Sequence, residues 1–120
     1  MTLIEEYIHS AMESEALNQA GLTGKTVKQN NKLADRLQKI AVTIETKRPE
    51  YKSDFCQLLY HDNSAVRRWC AHHILEVMTC EPEYRRLALA EITAHSKDCF
   101  GEKLWLNQWY AQHPQDKQLT

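Results

Sequence analysis

The chain has 120 residues, with 15 Lys and Arg against 16 Asp and Glu and a formal net charge of -1. This length predicts one domain, and the balanced charge excludes a protein that binds nucleic acid or membranes through its overall charge. The chain holds only three Gly and three Pro, whereas an all-β domain of this length needs roughly ten turns rich in these residues. The composition therefore predicts helices.

The first two helices are predicted from capping residues and apolar spacing. Thr2 and Glu5 form a capping-box pattern before an apolar run, so the first helix begins there, and Gly21 is expected to end it. The second helix follows Gly24 and is predicted to be the longest element. Its buried stripe is expected to consist of Val27, Leu33, Leu37, Ile40, Ala41 and Ile44.

Four further helices are predicted between residues 49 and 113. Pro49 suits the first turn of the third helix, and Pro82 suits the first turn of the fifth helix. Residues 62–64 are all of types that cap a helix N-terminus, so the fourth helix is expected to span about 64–78. Residues 114–120 are polar and are predicted to form a frayed tail. The expected inward-facing residues of the third, fifth and sixth helices are Tyr51, Phe55, Leu58, Leu59, Tyr84, Leu87, Ala88, Ile92, Leu104, Trp105 and Trp109.

Six helices at about 40 residues per antiparallel pair match the period of HEAT and armadillo units. We therefore predict an all-α fold: a single domain over residues 1–113, built as a short right-handed HEAT-like stack of three hairpins, followed by the tail. Because the three pairs share little sequence, the periodicity alone is nearly as compatible with an irregular helical bundle.

Residues 58–75 form the most informative segment. On a helical projection, Arg67 lies in the middle of an apolar face of the fourth helix. A guanidinium there is unfavourable unless its donors are satisfied, and Asp62 is the nearest carboxylate in sequence. We therefore predict an Arg67–Asp62 ion pair that fixes the turn before this helix.

The same segment resembles the HEAT-repeat signature. The matching residues are Leu58, Leu59, Asp62, Val66, Arg67, Ala71 and Leu75, and Cys70 stands where the signature often has Ala. The whole chain also resembles a family of small bacterial HEAT-like proteins that includes immunity proteins of contact-dependent growth inhibition and related polymorphic toxin systems. This resemblance implies an immunity protein that binds a cognate toxin domain, such as a nuclease, in a 1:1 complex and neutralises it. The resemblance carries no catalytic residues and no cofactor.

The other face of the fourth helix is the candidate binding surface. It carries Trp69, and Trp near Arg is a combination enriched at binding hot spots. The alternative is that Trp69 packs beneath a neighbouring helix of the same chain. Carboxylates would suit the basic surface of a nuclease. The predicted partner-binding residues are Trp69, His72, His73, Glu76, Glu81 and Glu83.

A metal site, catalysis and membrane insertion are not predicted. The four cysteines are 14, 10 and 19 residues apart, which is not a zinc pattern, so we expect free thiols. Neither a nucleophile elbow nor a phosphate-binding glycine loop is present. An apolar run of about 20 residues and a secretory signal are also missing, which favours a cytoplasmic protein.

Nucleic-acid binding is the alternative function. Residues 21–52 hold eight basic residues against three acidic ones, so the second helix forms a basic ridge. Such a ridge can bind phosphate backbones, although a solvated helix face rich in Lys is the simpler interpretation. The residues that would bind phosphates are Lys28, Lys32, Arg36 and Lys39.

Overall fold

The computed structural model of the chain describes residues 1–118, which form seven helices and no strand. The helices are α1 (Leu3–Ala20), α2 (Gly24–Thr46), α3 (Lys52–Cys56), α4 (Ser64–Glu76), α5 (Pro82–Ser96), α6 (Phe100–Gln112) and α7 (Pro114–Lys117). Two 3₁₀ turns, Pro49–Tyr51 and Gln57–Tyr60, flank α3. The predicted all-α class and the order of the first six helices are confirmed.

Local capping determines where the main helices begin and end. The hydroxyl of Thr2 accepts from the backbone of Glu5 at 3.1 Å, and the Glu5 carboxylate accepts from the backbone of Thr2 at 3.3 Å. Gly21 ends α1 with φ 89°, a conformation that residues with a Cβ rarely adopt. Asn63 Oδ1 caps α4 by accepting from two backbone N–H groups at 2.9 and 3.2 Å. The helix boundaries therefore follow from contacts within a few residues.

Short connections make consecutive helices pack against each other. Three residues separate α1 from α2 and α5 from α6, and the principal helix pairs are α1–α2, α4–α5 and α5–α6. Helix α1 also packs on α4. Their apolar faces form one core, whose largest fully buried apolar side chains are Tyr7, Phe55, Leu37, Ile44, Ile74, Leu89, Ile92 and Val66.

Two residues predicted to be buried are exposed. Val27 is 39% exposed and Leu104 is 53% exposed. Val27 lies in the first turn of α2, before the first buried residue of that helix, Leu33. In α6 the buried residue is Leu106, which belongs to the core, and Leu104 lies on a different side of this helix.

The predicted frayed tail is wrong for residues 114–117, which form α7. Asp116 is only 2% exposed. Its Oδ2 accepts from the guanidinium of Arg85 at 2.5 Å and from the indole of Trp109 at 2.8 Å. This segment therefore belongs to the domain, and residues 119 and 120 of the predicted tail lie outside the described residues.

The predicted Arg67–Asp62 ion pair is also wrong. Arg67 donates through Nε to the carboxylate of Glu91 on α5. Its Nη1 donates to the backbone carbonyls of His61 at 2.7 Å and Asp62 at 2.9 Å. Arg67 does fix the turn before α4, but it does so through main-chain oxygens, and the Asp62 side chain is exposed.

Candidate functional site: an aromatic cleft between α2, α4 and α6

A cleft of about 430 Å³ opens between α2, α4 and α6. Clefts of this size with aromatic walls and a few polar groups are typical of binding sites. Its lining consists of Ala34, Asp35, Gln38, Arg68, Trp69, His72, His73, Glu76, Glu102 and Trp105. The predicted site residues of α4 therefore meet side chains from two other helices.

Two partly exposed tryptophans form the aromatic walls. Trp69 stacks on the ring of His73 with a centroid distance of 5.8 Å. Trp105 meets His72 edge-on at 4.3 Å and donates from Nε1 to Oε1 of Glu76 at 3.0 Å. Both rings also contact the core. Trp69 is thus partly packed against the core and still lines the cleft.

His72 is held in its charged form by carboxylates. Its Nε2 lies 2.6 Å from Oε1 of Glu102, and its Nδ1 lies 3.8 Å from Oε1 of Glu76. Burial lowers the pKa of His72, but the hydrogen bond to Glu102 and the nearby carboxylate of Glu76 outweigh burial and raise that pKa to about 9. An imidazolium therefore lies in the wall of the cleft at neutral pH.

His73 differs from its neighbour in charge and position. It was predicted on the surface, but it is only 4% exposed, because it points between α1 and α4 toward Tyr7. Burial lowers the pKa of His73 to about 4, so the ring is neutral, and its Nδ1 shares a hydrogen bond with the Tyr7 hydroxyl at 2.6 Å. His73 therefore contributes a buried, uncharged ring to the lining of the cleft.

A second group of charges closes one end of the cleft. Arg68 donates from Nη1 to Nε2 of His95 at 2.7 Å, and its Nη2 lies 3.7 Å from Glu15. His95 Nδ1 in turn lies 3.0 Å from Oε2 of Glu102. Both oxygens of Glu102 are therefore engaged, one with His72 and the other with His95.

The structure separates the predicted site residues into two groups. Trp69, His72, His73 and Glu76 all line the cleft. Glu81 and Glu83 are exposed at the start of α5 and are not part of its lining.

Sequence reasoning missed the residues that α2 and α6 contribute. Asp35 is the one acid between Lys25 and Lys39 on α2, and Glu102 precedes two tryptophans on α6. The interruption of the basic ridge by Asp35 is the one signal that could have indicated a different role. The missed lining residues are Ala34, Asp35, Gln38, Glu102 and Trp105.

The basic ridge of α2 is solvent-exposed. The basic residues of this helix, Lys25, Lys28, Lys32, Arg36 and Lys39, are all exposed. None of them forms an ion pair with a described residue. Their charge is therefore available to solvent or to a partner.

The cysteines lie apart from the cleft. All four are free thiols, as predicted, and Cys56 Sγ lies 3.8 Å from Cys80 Sγ. Within residues 1–118, no group of three or more His, Cys, Asp or Glu is arranged to hold a metal ion. In the same part of the chain, no helix combines the length and apolar character that crossing a bilayer requires.

Comparison with known proteins gave no match to a protein-family model, to a curated protein or to a solved structure.

Proposed function

We propose that this protein is an immunity protein that binds a cognate toxin domain through the cleft between α2, α4 and α6. The observation that carries the proposal is the pair of tryptophans in this cleft, Trp69 and Trp105, which are held by packing and remain accessible. Aromatic anchors of this kind dominate the binding energy of protein interfaces. The resemblance of the whole chain to a family of small bacterial HEAT-like proteins that includes immunity proteins supplies the class of partner.

The mechanism is occlusion without turnover. Side chains held on rigid helices lose less conformational freedom on binding, which reduces the part of the contact energy that is lost to ordering. The partner's active site or substrate surface would be covered for the lifetime of a 1:1 complex. Such a mechanism needs neither a catalytic residue nor a cofactor.

The proposal is tested by co-expression with the toxin domain that the neighbouring gene encodes. Cells that produce this protein should survive the toxin domain, and the two purified chains should form a 1:1 complex by size-exclusion chromatography with light scattering. Survival without a complex, or a complex without survival, would contradict the proposal.

A matched pair of variants assigns the complex to the cleft. Trp69→Ala should weaken binding by at least about tenfold, as expected for a hot-spot aromatic residue. Tyr60 is 61% exposed outside the cleft, so Tyr60→Ala should leave the affinity unchanged. Thermal melting of both variants shows whether Trp69→Ala acts through binding or through loss of fold.

Because Glu81 and Glu83 lie outside the cleft, Glu81→Gln and Glu83→Gln test whether the interface extends to α5.

The exposed basic ridge of α2 supports nucleic-acid binding as the competing function. In that case the protein would shift DNA or RNA with a steep dependence on salt concentration. Replacement of Lys28, Lys32, Arg36 and Lys39 would abolish the shift, and Trp69→Ala would not.

A further inference from the structure

The charges that line the cleft are unequally compensated. Both carboxylate oxygens of Glu102 are engaged by histidines, and Arg68 is engaged by Glu15 and His95. The Asp35 side chain makes no hydrogen bond or ion pair with any described residue and is exposed. The charges left without a partner at the cleft are therefore negative.

Glu76 carries the second such charge. Its contacts with Trp105 and His72 both use Oε1, at 3.0 and 3.8 Å, and its side chain is 41% exposed. Burial raises the pKa of Glu76, but its contacts with His72 and Trp105 outweigh burial and lower that pKa, so the group is ionised at neutral pH. Oε2 is thus free to accept from a bound group.

The aromatic walls restrict what kind of cation fits. Trp69 and Trp105 offer ring surface beside these carboxylates. A guanidinium is planar, stacks on indole rings and donates to carboxylates in a fixed fork, whereas an ammonium is a compact and strongly hydrated charge. The chemistry of the walls therefore favours arginine over lysine.

The exposure of the lining determines where the cation lies. Asp35 and Glu76 are exposed lining residues, whereas His73 is a buried one. A cation that contacts both exposed carboxylates therefore lies at the mouth of the cleft, beside Asp35 and Glu76.

We propose that the mouth of the cleft binds an arginine side chain of the partner, with the guanidinium between the carboxylates of Asp35 and Glu76 and against the tryptophan rings. That the arginine comes from a toxin domain rests on the proposed function. That the cleft binds a guanidinium follows from its own side chains. A partner that presents a basic patch would place one arginine here as its anchor.

The probe for the test is N-acetyl-arginine amide, with N-acetyl-citrulline amide as its neutral isostere. The indole N–H signals of Trp69 and Trp105 are followed by NMR as each compound is added to the full chain. The arginine compound should shift both signals saturably, and the citrulline compound should shift neither. Equal binding of the two compounds would overturn the proposal.

Charge-neutralising variants locate the binding groups. The double variant Asp35→Asn, Glu76→Gln should weaken arginine binding by about tenfold, as expected for two partly exposed ion pairs. The matched control, Glu81→Gln with Glu83→Gln, removes the same charge outside the cleft and should have no effect. Equal effects of the two double variants would mean that the protein's overall charge, rather than the cleft, attracts the probe.

The toxin complex separates this inference from the proposed function. If the arginine compound binds as described but the toxin domain does not, the proposed function fails and the inference about the cleft stands. If the toxin domain binds and Asp35→Asn, Glu76→Gln leaves its affinity unchanged, the inference fails and the proposed function stands.

Discussion

Arg67→Ala is expected to destabilise the domain because Arg67 connects three parts of the chain. The guanidinium bonds to Glu91 on α5 and to the carbonyls of His61 and Asp62 in the turn before α4. Alanine would leave the carboxylate without its cation and the two carbonyls without their donor. The turn and the α4–α5 contact would be weakened together.

The magnitude follows from the exposure of the pair. A hydrogen bond to a charged group contributes roughly 1.5–3 kcal/mol. The side chains of Arg67 and Glu91 are 28% and 20% exposed, so water compensates part of this loss. We expect a decrease of about 2 kcal/mol in the free energy of unfolding, equivalent to roughly 8 °C in the melting temperature of a domain of this size.

Urea denaturation followed by circular dichroism measures this loss, and Asp62→Ala is the matched control. The Asp62 side chain is exposed and makes no hydrogen bond with a described residue, so its removal should change stability by less than about 0.5 kcal/mol. A double-mutant cycle of Arg67→Met with Glu91→Gln should show a coupling energy of about 1 kcal/mol. This account of Arg67 would be refuted if Arg67→Ala left the free energy of unfolding unchanged, or if Asp62→Ala lowered it by the same amount.

Four further measurements test other contacts. The pKa of His73 is about 4 in the folded domain and 6.5 in the unfolded chain, so the unfolded chain binds more protons between these two pH values. The free energy of unfolding should therefore fall by about 3 kcal/mol as pH decreases from 6.5 to 4. Urea titrations of His73→Gln should not show this decrease. His72, with a folded pKa of about 9, should stabilise the domain fully below pH 6.5 and lose this contribution as pH rises through 9, a loss that His72→Gln would remove. Asp116→Ala leaves a guanidinium and an indole N–H without their buried acceptor and should cost about 2–3 kcal/mol in thermal melts; a neutral result would mean that α7 does not stabilise the domain. Diamide, which accepts two hydrogens from two thiols, should join Cys56 to Cys80 before any other pair, as read by peptide mass mapping, and another first disulfide would contradict the 3.8 Å contact.

The helices could be predicted from the sequence because their signals are local. The capping box of Thr2, the left-handed Gly21 and the apolar stripe of α2 each act within a few residues. The partner of Arg67 could not be predicted in the same way. The nearest carboxylate in sequence is Asp62, but the nearest in space is Glu91, which is 24 residues away and is brought close by the packing of α5 on α4.

The cleft shows the same limit. Its α4 residues were predicted because they share one helix face. Glu102 lies 30 residues from His72, and nothing in the local pattern of α6 specifies that contact. The burial of His73 was missed because its partner, Tyr7, belongs to α1 and is 66 residues away. Fold class thus follows from short-range signals, whereas the site depends on which helices pack together.

The first two helices carry charges of opposite sign, although the net charge of the chain is only -1. Residues 1–20 carry four acids and no Lys or Arg, while the adjacent α2 exposes its basic residues. Near the sequence pI of 6.6 the net charge vanishes but the two patches remain. The purified domain should therefore bind both anion- and cation-exchange resins at low salt. Oppositely charged patches on different copies should also attract one another, and salt at about 0.15 M, where charges are screened beyond about 8 Å, should suppress this association.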